Sequence, residues 1–243
     1  GSARMGSRSR LNRRVASRRR QRLLTHYRDA ISNIRLRLQD HATDETARYV
    51  QARMARVQSV TSWREVHDHA IAAAHLEGGL VLEFGVFSGT TARYITEKPG
   101  WTVDAFDSFE GLPEPWRDGY ATGKFSCSAP PDLGPDVTLH IGWFDQTLPA
   151  FAAALSNDTR PIRYLHVDCD LYSSTKTIFE HLGDRITAGT VIVFDEYFNY
   201  AGWQEGEFKA FQECVAEHGL QYEYLTYNHE HKQVAVKITA RAS

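Results

Sequence analysis

The residues best suited to chemistry are carboxylates at the ends of apolar runs. In "YLHVDCDLYSST", Asp168 and Asp170 bracket Cys169 where a strand-like stretch gives way to a helical one. In "TVIVFDE", Asp195 and Glu196 close a second such stretch. An unpaired charge at the edge of a core is costly, so each acid needs a backbone cap, a basic partner, a metal ion or a reacting proton. Neighbouring parallel strands lie about 4.8 Å apart, so their ends would bring Asp168, Asp195 and Glu196 to one point. Three hard oxygen donors with room for water suit Mg²⁺ or another hard divalent cation. Asp170 has two readings, a base beside that point or a cap on the helix beginning near Tyr172. Cys169 with His166 suggests zinc, but the remaining ligand candidates are oxygens, which favours Cys169 as a small packing residue. His166 and His140 approach the same edge, and both are expected to be packed or solvent-facing.

A second group sits earlier in the chain. "VLEFGVFSGTTARYI" is a strand, a glycine-bearing turn and a helix, and Gly85 and Gly89 allow tight backbone angles and close approach to a ligand. The spacing is GxxxG rather than GxGxxG, and no lysine stands where a Walker motif needs one, which disfavours pyrophosphate binding. The next strand-like run ends "AFDSFEGLP". There Asp107, with Glu110 behind it, is placed to accept hydrogen bonds from both ribose hydroxyls of a nucleoside cofactor. Alternatively Asp107 caps its own turn through the Ser108 and Phe109 amides. Glycine turn and acid together point to a nucleoside cofactor.

The elements that must position these groups alternate. Strand-like runs cover 80–86, 102–107, 137–142, 162–168 and 190–196, separated by helical stretches near 89–97, 146–156, 174–187 and 205–218. That alternation predicts an α/β fold with a doubly wound, mostly parallel sheet. "YEYLTYN" and "QVAVKIT", joined by a short turn carrying His229 and His231, predict a terminal hairpin. Upstream, Leu24, Tyr27, Ile31, Ile34 and Leu38 form a 3-4-3-4 stripe on a helix over 16–40, able to cover the core, the active site or a second subunit. Helices over 44–58 and from Ser62 to Gly78-Gly79 follow, the latter with a capping box between Ser62 and Glu65. After 190–196, Tyr197, Phe198, Tyr200 and Trp203 suit either a carbohydrate-binding face or the core.

The chain has 243 residues and 42% hydrophobic content, enough for one well-cored domain with an extension. No apolar run reaches the roughly 20 residues of a membrane helix, and no secretory segment stands out, so a soluble cytoplasmic protein is expected. Cys127, Cys169 and Cys214 cannot all pair and form no CxxC, which fits reduced thiols. Nine arginines fall within the first 22 residues, before any acid. This segment reads as a solvated tail, with an RNA-directed or anionic-membrane arm as the alternative; nucleic acid is not the expected partner. The opening "GSARM" reads as an expression remnant ahead of Met5. The division expected is a tail over 1–22, a helical extension over 23–78 and a catalytic domain over 79–243.

Five motifs in order, "LEFGVFSGTT", "FDSFEGLP", "GWFDQTLP", "HVDCDLYSST" and "VIVFDEYF", resemble the class I S-adenosylmethionine-dependent O-methyltransferases. Within these the similarity is to the macrocin O-methyltransferase-like group, which methylates sugar hydroxyls, and it covers about 80–240. The resemblance implies a Rossmann-like, seven-stranded sheet with an antiparallel last strand. It implies that Glu83, Gly85 and Gly89 wrap the methionine part of S-adenosylmethionine, with contacts from Ser88 and Thr90. Asp107 would hold the ribose, and Gly142 and Trp143 the adenine. Metal-dependent relatives carry similar acids at the ends of the fourth and fifth strands, here Asp168, Asp195 and Glu196, although the last is commonly Asp or Asn. The expected reaction is methyl transfer to a hydroxyl of a sugar, glycoside or polysaccharide, with Asp168 or Asp170 accepting the proton and Mg²⁺ assisting. A catechol-like phenol is the alternative acceptor. A homodimer through the N-terminal helices completes the expectation.

Overall fold

A computed structural model describes Ser17, residues 20–25, Tyr27 and residues 31–242. Most of the arginine-rich tail therefore lies outside the described residues. One eight-stranded sheet forms the body: β1 (Ser59–Val60), β2 (Leu80–Phe84), β3 (Val103–Asp107), β4 (Val137–Ile141), β5 (Ile162–Val167), β6 (Val191–Phe194), β7 (Leu220–Asn228) and β8 (Val234–Arg241). The spatial order is β1-β7-β8-β6-β5-β2-β3-β4. β8 runs antiparallel to both β6 and β7, and every other pairing is parallel. The count is eight rather than seven because Ser59–Val60 adds to the free edge of β7. Two residues are too few to leave a periodic signal in the sequence.

All five β2 residues and all four β6 residues are buried, as expected of central parallel strands covered on both faces. Alternate side chains feed two cores. Leu82, Phe84, Leu165 and Phe194 belong to one. Val81, Tyr164 and Val193 belong to the other. Helices α1 (Ile34–Arg53), α2 (Trp63–Ala73), α3 (Thr90–Thr96), α4 (Phe144–Ala154), α5 (Tyr172–Leu182) and α6 (Glu207–Glu217) complete the body. The capping box at Ser62 is formed in both directions: its hydroxyl accepts from Glu65 N at 3.2 Å, and Glu65 accepts from Ser62 N at 3.0 Å.

Two boundaries differ from expectation. The helices expected over 16–40 and 44–58 meet differently: α1 starts after Asn33, whose side chain accepts from Leu36 N, and runs unbroken through residues 40–44, where no glycine or proline interrupts it. The stripe of Leu24, Tyr27, Ile31, Ile34 and Leu38 does not cover the core, since each is more than half exposed. Residues 59–73, expected within the extension, are part of the body, with β1 in the sheet and α2 packed on β6, β7 and β8. No helix among the described residues is long and apolar enough to cross a membrane.

Candidate active site

The parallel strands β6, β5, β2 and β3 end side by side, so their outlets deliver Asp195, Asp168, Gly85 and Asp107 along one edge in that order. A cavity of about 760 Å³ opens there, lined among others by Gly85, Phe87, Asp107, Trp143, Asp168 and Glu196. That volume suits a small-molecule ligand. Gly85 has φ +90°, and a Cβ there would overlap the Asp168 carbonyl oxygen. The glycine thus lets the outlets of β2 and β5 touch, which no side chain would permit.

Asp107 is held by three backbone amides. Its Oδ2 accepts from Val86 N at 2.8 Å and Phe87 N at 2.9 Å, and its Oδ1 accepts from Phe109 N at 2.7 Å. The cap through Phe109 is present, and the same carboxylate also ties down the glycine turn. Gly142 and Trp143 line the cavity as well, and Gly142 N donates to the Asp107 carbonyl at 3.0 Å.

Four residues expected around the cofactor are not on the cavity wall. Glu83 is fully buried within the sheet layer below the edge, where its Oε1 pairs with His166 Nδ1 at 3.0 Å. Strand alternation sends it there: Glu83 faces His166 across β2 and β5. Its burial raises the carboxyl above its ordinary range. Gly89, at φ +74°, packs where a Cβ would collide with Leu133, and Ser88 and Thr90 bond each other at 3.0 Å on the surface.

On the acidic side, Asp168, Asp170, Asp195 and Glu196 all line the cavity. Burial, followed by the charges of Asp195, Asp170, Glu207 and Glu196, pushes the Asp168 carboxyl well above the usual range. Asp170 does not cap α5, whose start at Leu171 has no side-chain cap. It instead adopts φ +62°, and burial first, then Asp195, raises its carboxyl to about 6. Asp195 Oδ1 accepts from Gln233 Nε2 at 2.9 Å.

Of the three residues expected to hold a cation, Asp168 and Asp195 come together with His166: among the described residues these three bring one possible ligand atom each within 4.8 Å of one another, and Glu196 is not in that group. Glu196 is drawn off by Lys232, whose Nζ donates to its Oε1 at 2.8 Å, although burial still raises the carboxyl to about 8. Two carboxylates and a buried ring nitrogen without a partner, with only acids acting on Asp168, are a donor set that fits a divalent cation.

Glu207, which no motif singles out, joins the outlets of β5 and β6. Fully buried at the start of α6, it accepts from Cys169 N and Asp170 N on one oxygen and from Glu196 N on the other, at 3.1–3.3 Å. Only an acid in the first turn of a helix hints at it in the sequence. Tyr197, Phe198, Tyr200 and Trp203 are buried, so their core reading holds, and the aromatic residues at the cavity are Phe87, Phe125, Trp143 and Phe144. His140 packs as expected, bonded to Asp104 at 2.8 Å and stacked on Phe106.

A mostly parallel sheet with one reversed strand, a glycine turn at the outlet of β2 and an acid closing β3 together define the class I methyltransferase fold. Residues 82–197, just under half of the chain, match the family model for a methyltransferase domain. The chain is 26% identical over 147 residues to the 8-demethyl-8-(2,3-dimethoxy-alpha-L-rhamnosyl)-tetracenomycin-C 4'-O-methyltransferase of Streptomyces olivaceus, covering 49% of this chain and 53% of the relative. It thus spans about half the length of that curated relative. Two solved structures share the fold: the calicheamicin methyltransferase CalS11 (TM-score 0.53, 21% identity, 65% of this chain and 73% of the other) and the O-methyltransferase NovP (0.52, 20%, 72% and 80%).

Proposed function

We propose that the chain is an S-adenosylmethionine-dependent O-methyltransferase acting on a hydroxyl of a sugar, glycoside or glycan, with a divalent cation assisting. One observation carries this reading: a single cavity joins the glycine turn and Asp107 to Asp168, Asp170 and Asp195. The rhamnosyl group in the name of the Streptomyces olivaceus relative supports a sugar acceptor. In this reading Asp107 receives a ribose hydroxyl on the lone pair its three amides leave free, while Gly142 and Trp143 border the adenine. Gly85 leaves room for the methionine part. Asp168 and Asp195 would hold the cation, which supplies Lewis acidity that makes a sugar hydroxyl easier to deprotonate. Asp170 accepts the hydroxyl proton. The hydroxyl oxygen then bonds the methyl carbon as the carbon–sulfur bond breaks, releasing S-adenosylhomocysteine.

Calorimetry with S-adenosylmethionine, followed by mass spectrometry of rhamnosides and catechols incubated with the protein, tests both halves. No cofactor binding removes the reading, and methylation of catechols alone moves the acceptor to phenols. Turnover insensitive to EDTA removes the cation while leaving methyl transfer.

The exposed stripe of Leu24, Tyr27, Ile31 and Leu38 is read as the seam of a homodimer. Light scattering should give twice the chain mass, and Ile31→Glu should give monomers. The tail over 1–22 is read as separate from the catalytic body, and a cytoplasmic setting accords with the three free thiols.

A further inference from the structure

Beneath the acids at the strand outlets lies a buried polar pair that methyl transfer, as proposed, does not use. His166 is 1% exposed, and its Nδ1 sits 3.0 Å from Oε1 of the fully buried Glu83. A ring nitrogen bonded to a carboxylate carries the proton, which leaves Nε2 with a free lone pair. That Nε2 is shut off from solvent and meets no hydrogen-bond partner. His67 closes another side of the ring, with centroids 4.7 Å apart, and is itself engaged by the Tyr164 hydroxyl at 2.6 Å. A buried acceptor left without a partner is costly, and a ring gripped by Glu83 and His67 has little freedom to find one.

Acids with too much negative charge stand beside a nitrogen with nothing to bind. One carboxylate oxygen of Asp168, one of Asp195 and a ring nitrogen of His166 all lie within 4.8 Å of one another. Three ligands about 2.1 Å from a common ion sit roughly 3–4 Å apart, so modest side-chain adjustment closes the set. Metal-bound histidines almost always donate their other N–H to a carboxylate or carbonyl, the role Glu83 fills here. Glu196 gives its Oε1 to Lys232 and does not belong to the group that His166 forms with the two aspartates.

We propose that His166 is a metal ligand beside Asp168 and Asp195, that Glu83 orients it, and that the resulting nitrogen–oxygen site favours Mn²⁺, Co²⁺ or Zn²⁺ over Mg²⁺. An imidazole suits these ions, whereas Mg²⁺ selects oxygen donors and keeps several waters. The assignment builds on the cation-assisted reading above, but its test is direct metal binding and does not depend on turnover.

The full chain is titrated calorimetrically with Mn²⁺, Co²⁺ and Mg²⁺, and the Mn²⁺ complex is measured by electron spin echo spectroscopy. The expected result is at least tenfold tighter binding of Co²⁺ or Mn²⁺ than of Mg²⁺, with nitrogen hyperfine modulation in the wild-type Mn²⁺ signal. His166→Gln should erase the preference and the modulation. Glu83→Gln, which keeps the ligand but loosens its orientation, should weaken Co²⁺ binding about 10- to 100-fold. Equal affinity for Mg²⁺ and Co²⁺, no binding of any of the three ions, or a wild-type Mn²⁺ signal without nitrogen modulation would overturn the proposal. The wild-type spectrum decides even if His166→Gln fails to fold. S-adenosylhomocysteine binding, measured on the same samples, reports separately on the methyltransferase reading.

Discussion

Asp107 and Asp168 stand at the ends of the two strands that flank β2, and they live in opposite surroundings. Asp107 is satisfied by three backbone amides and shapes the turn that carries Gly85. Asp168 is crowded by four other acids, and the charges that act on it all disfavour its ionised form. One residue type at one sheet edge therefore does two jobs. The first aspartate is an architectural group that three backbone amides hold in place. The second holds chemical potential that only a cation or a proton can relieve.

The largest expected effect breaks the acidic side. Asp168→Asn should lower turnover by about 10²- to 10⁴-fold, the several kcal/mol of Lewis-acid assistance lost with a carboxylate that would hold the cation. Its melting temperature should stay level or rise, because like-charge crowding is relieved. A drop in melting temperature would place Asp168 with the architectural acids instead.

Asp107→Ala should do the reverse. Three amides lose their acceptor, so stability should fall by about 1–2 kcal/mol in urea unfolding, and cofactor affinity should fall with it. If cofactor affinity falls while stability does not, the carboxylate serves the ligand more than the turn.

Glu207→Gln sharpens the contrast between the two outlets of the acidic side. A glutamine offers one acceptor where the glutamate offers two, so either Glu196 N or the Cys169–Asp170 pair loses its bond. A loss of about 1–3 kcal/mol in urea unfolding is expected, with turnover reduced where the bond lost is the one that holds Asp170. The smallest effect belongs to Ser88→Ala and Thr90→Ala. Their hydroxyls face each other on the surface, so stability should change by less than about 0.5 kcal/mol and cofactor affinity should barely move.

Much of the acid-bearing edge was legible because its signals are local. Each acid closes an apolar run, and the run itself declares a buried strand. The glycine turn and the capping box at Ser62 are likewise short-range patterns. Four partners were not legible. Lys232 and Gln233 reach Glu196 and Asp195 only because β8 runs antiparallel beside β6. His166 meets Glu83 because β5 and β2 pair in a register that sets them opposite. Glu207 arrives from α6, across residues whose number says nothing about distance in space. The aromatic cluster after β6 shows the same limit, since composition suits a sugar face and a core equally, and packing chose the core.

By itself the sequence determined the alternation of strands and helices from residue 80 onward, the edge where the acids gather and the turn that needs glycine. Apolar period and steric permission act over a few residues, so they can be read along the chain. Only the tertiary structure decided which acid is satisfied, which is crowded, and that a histidine rather than Glu196 stands with Asp168 and Asp195. Those outcomes depend on hydrogen bonds and charges across strands, and sheet order and register alone bring the partners within reach.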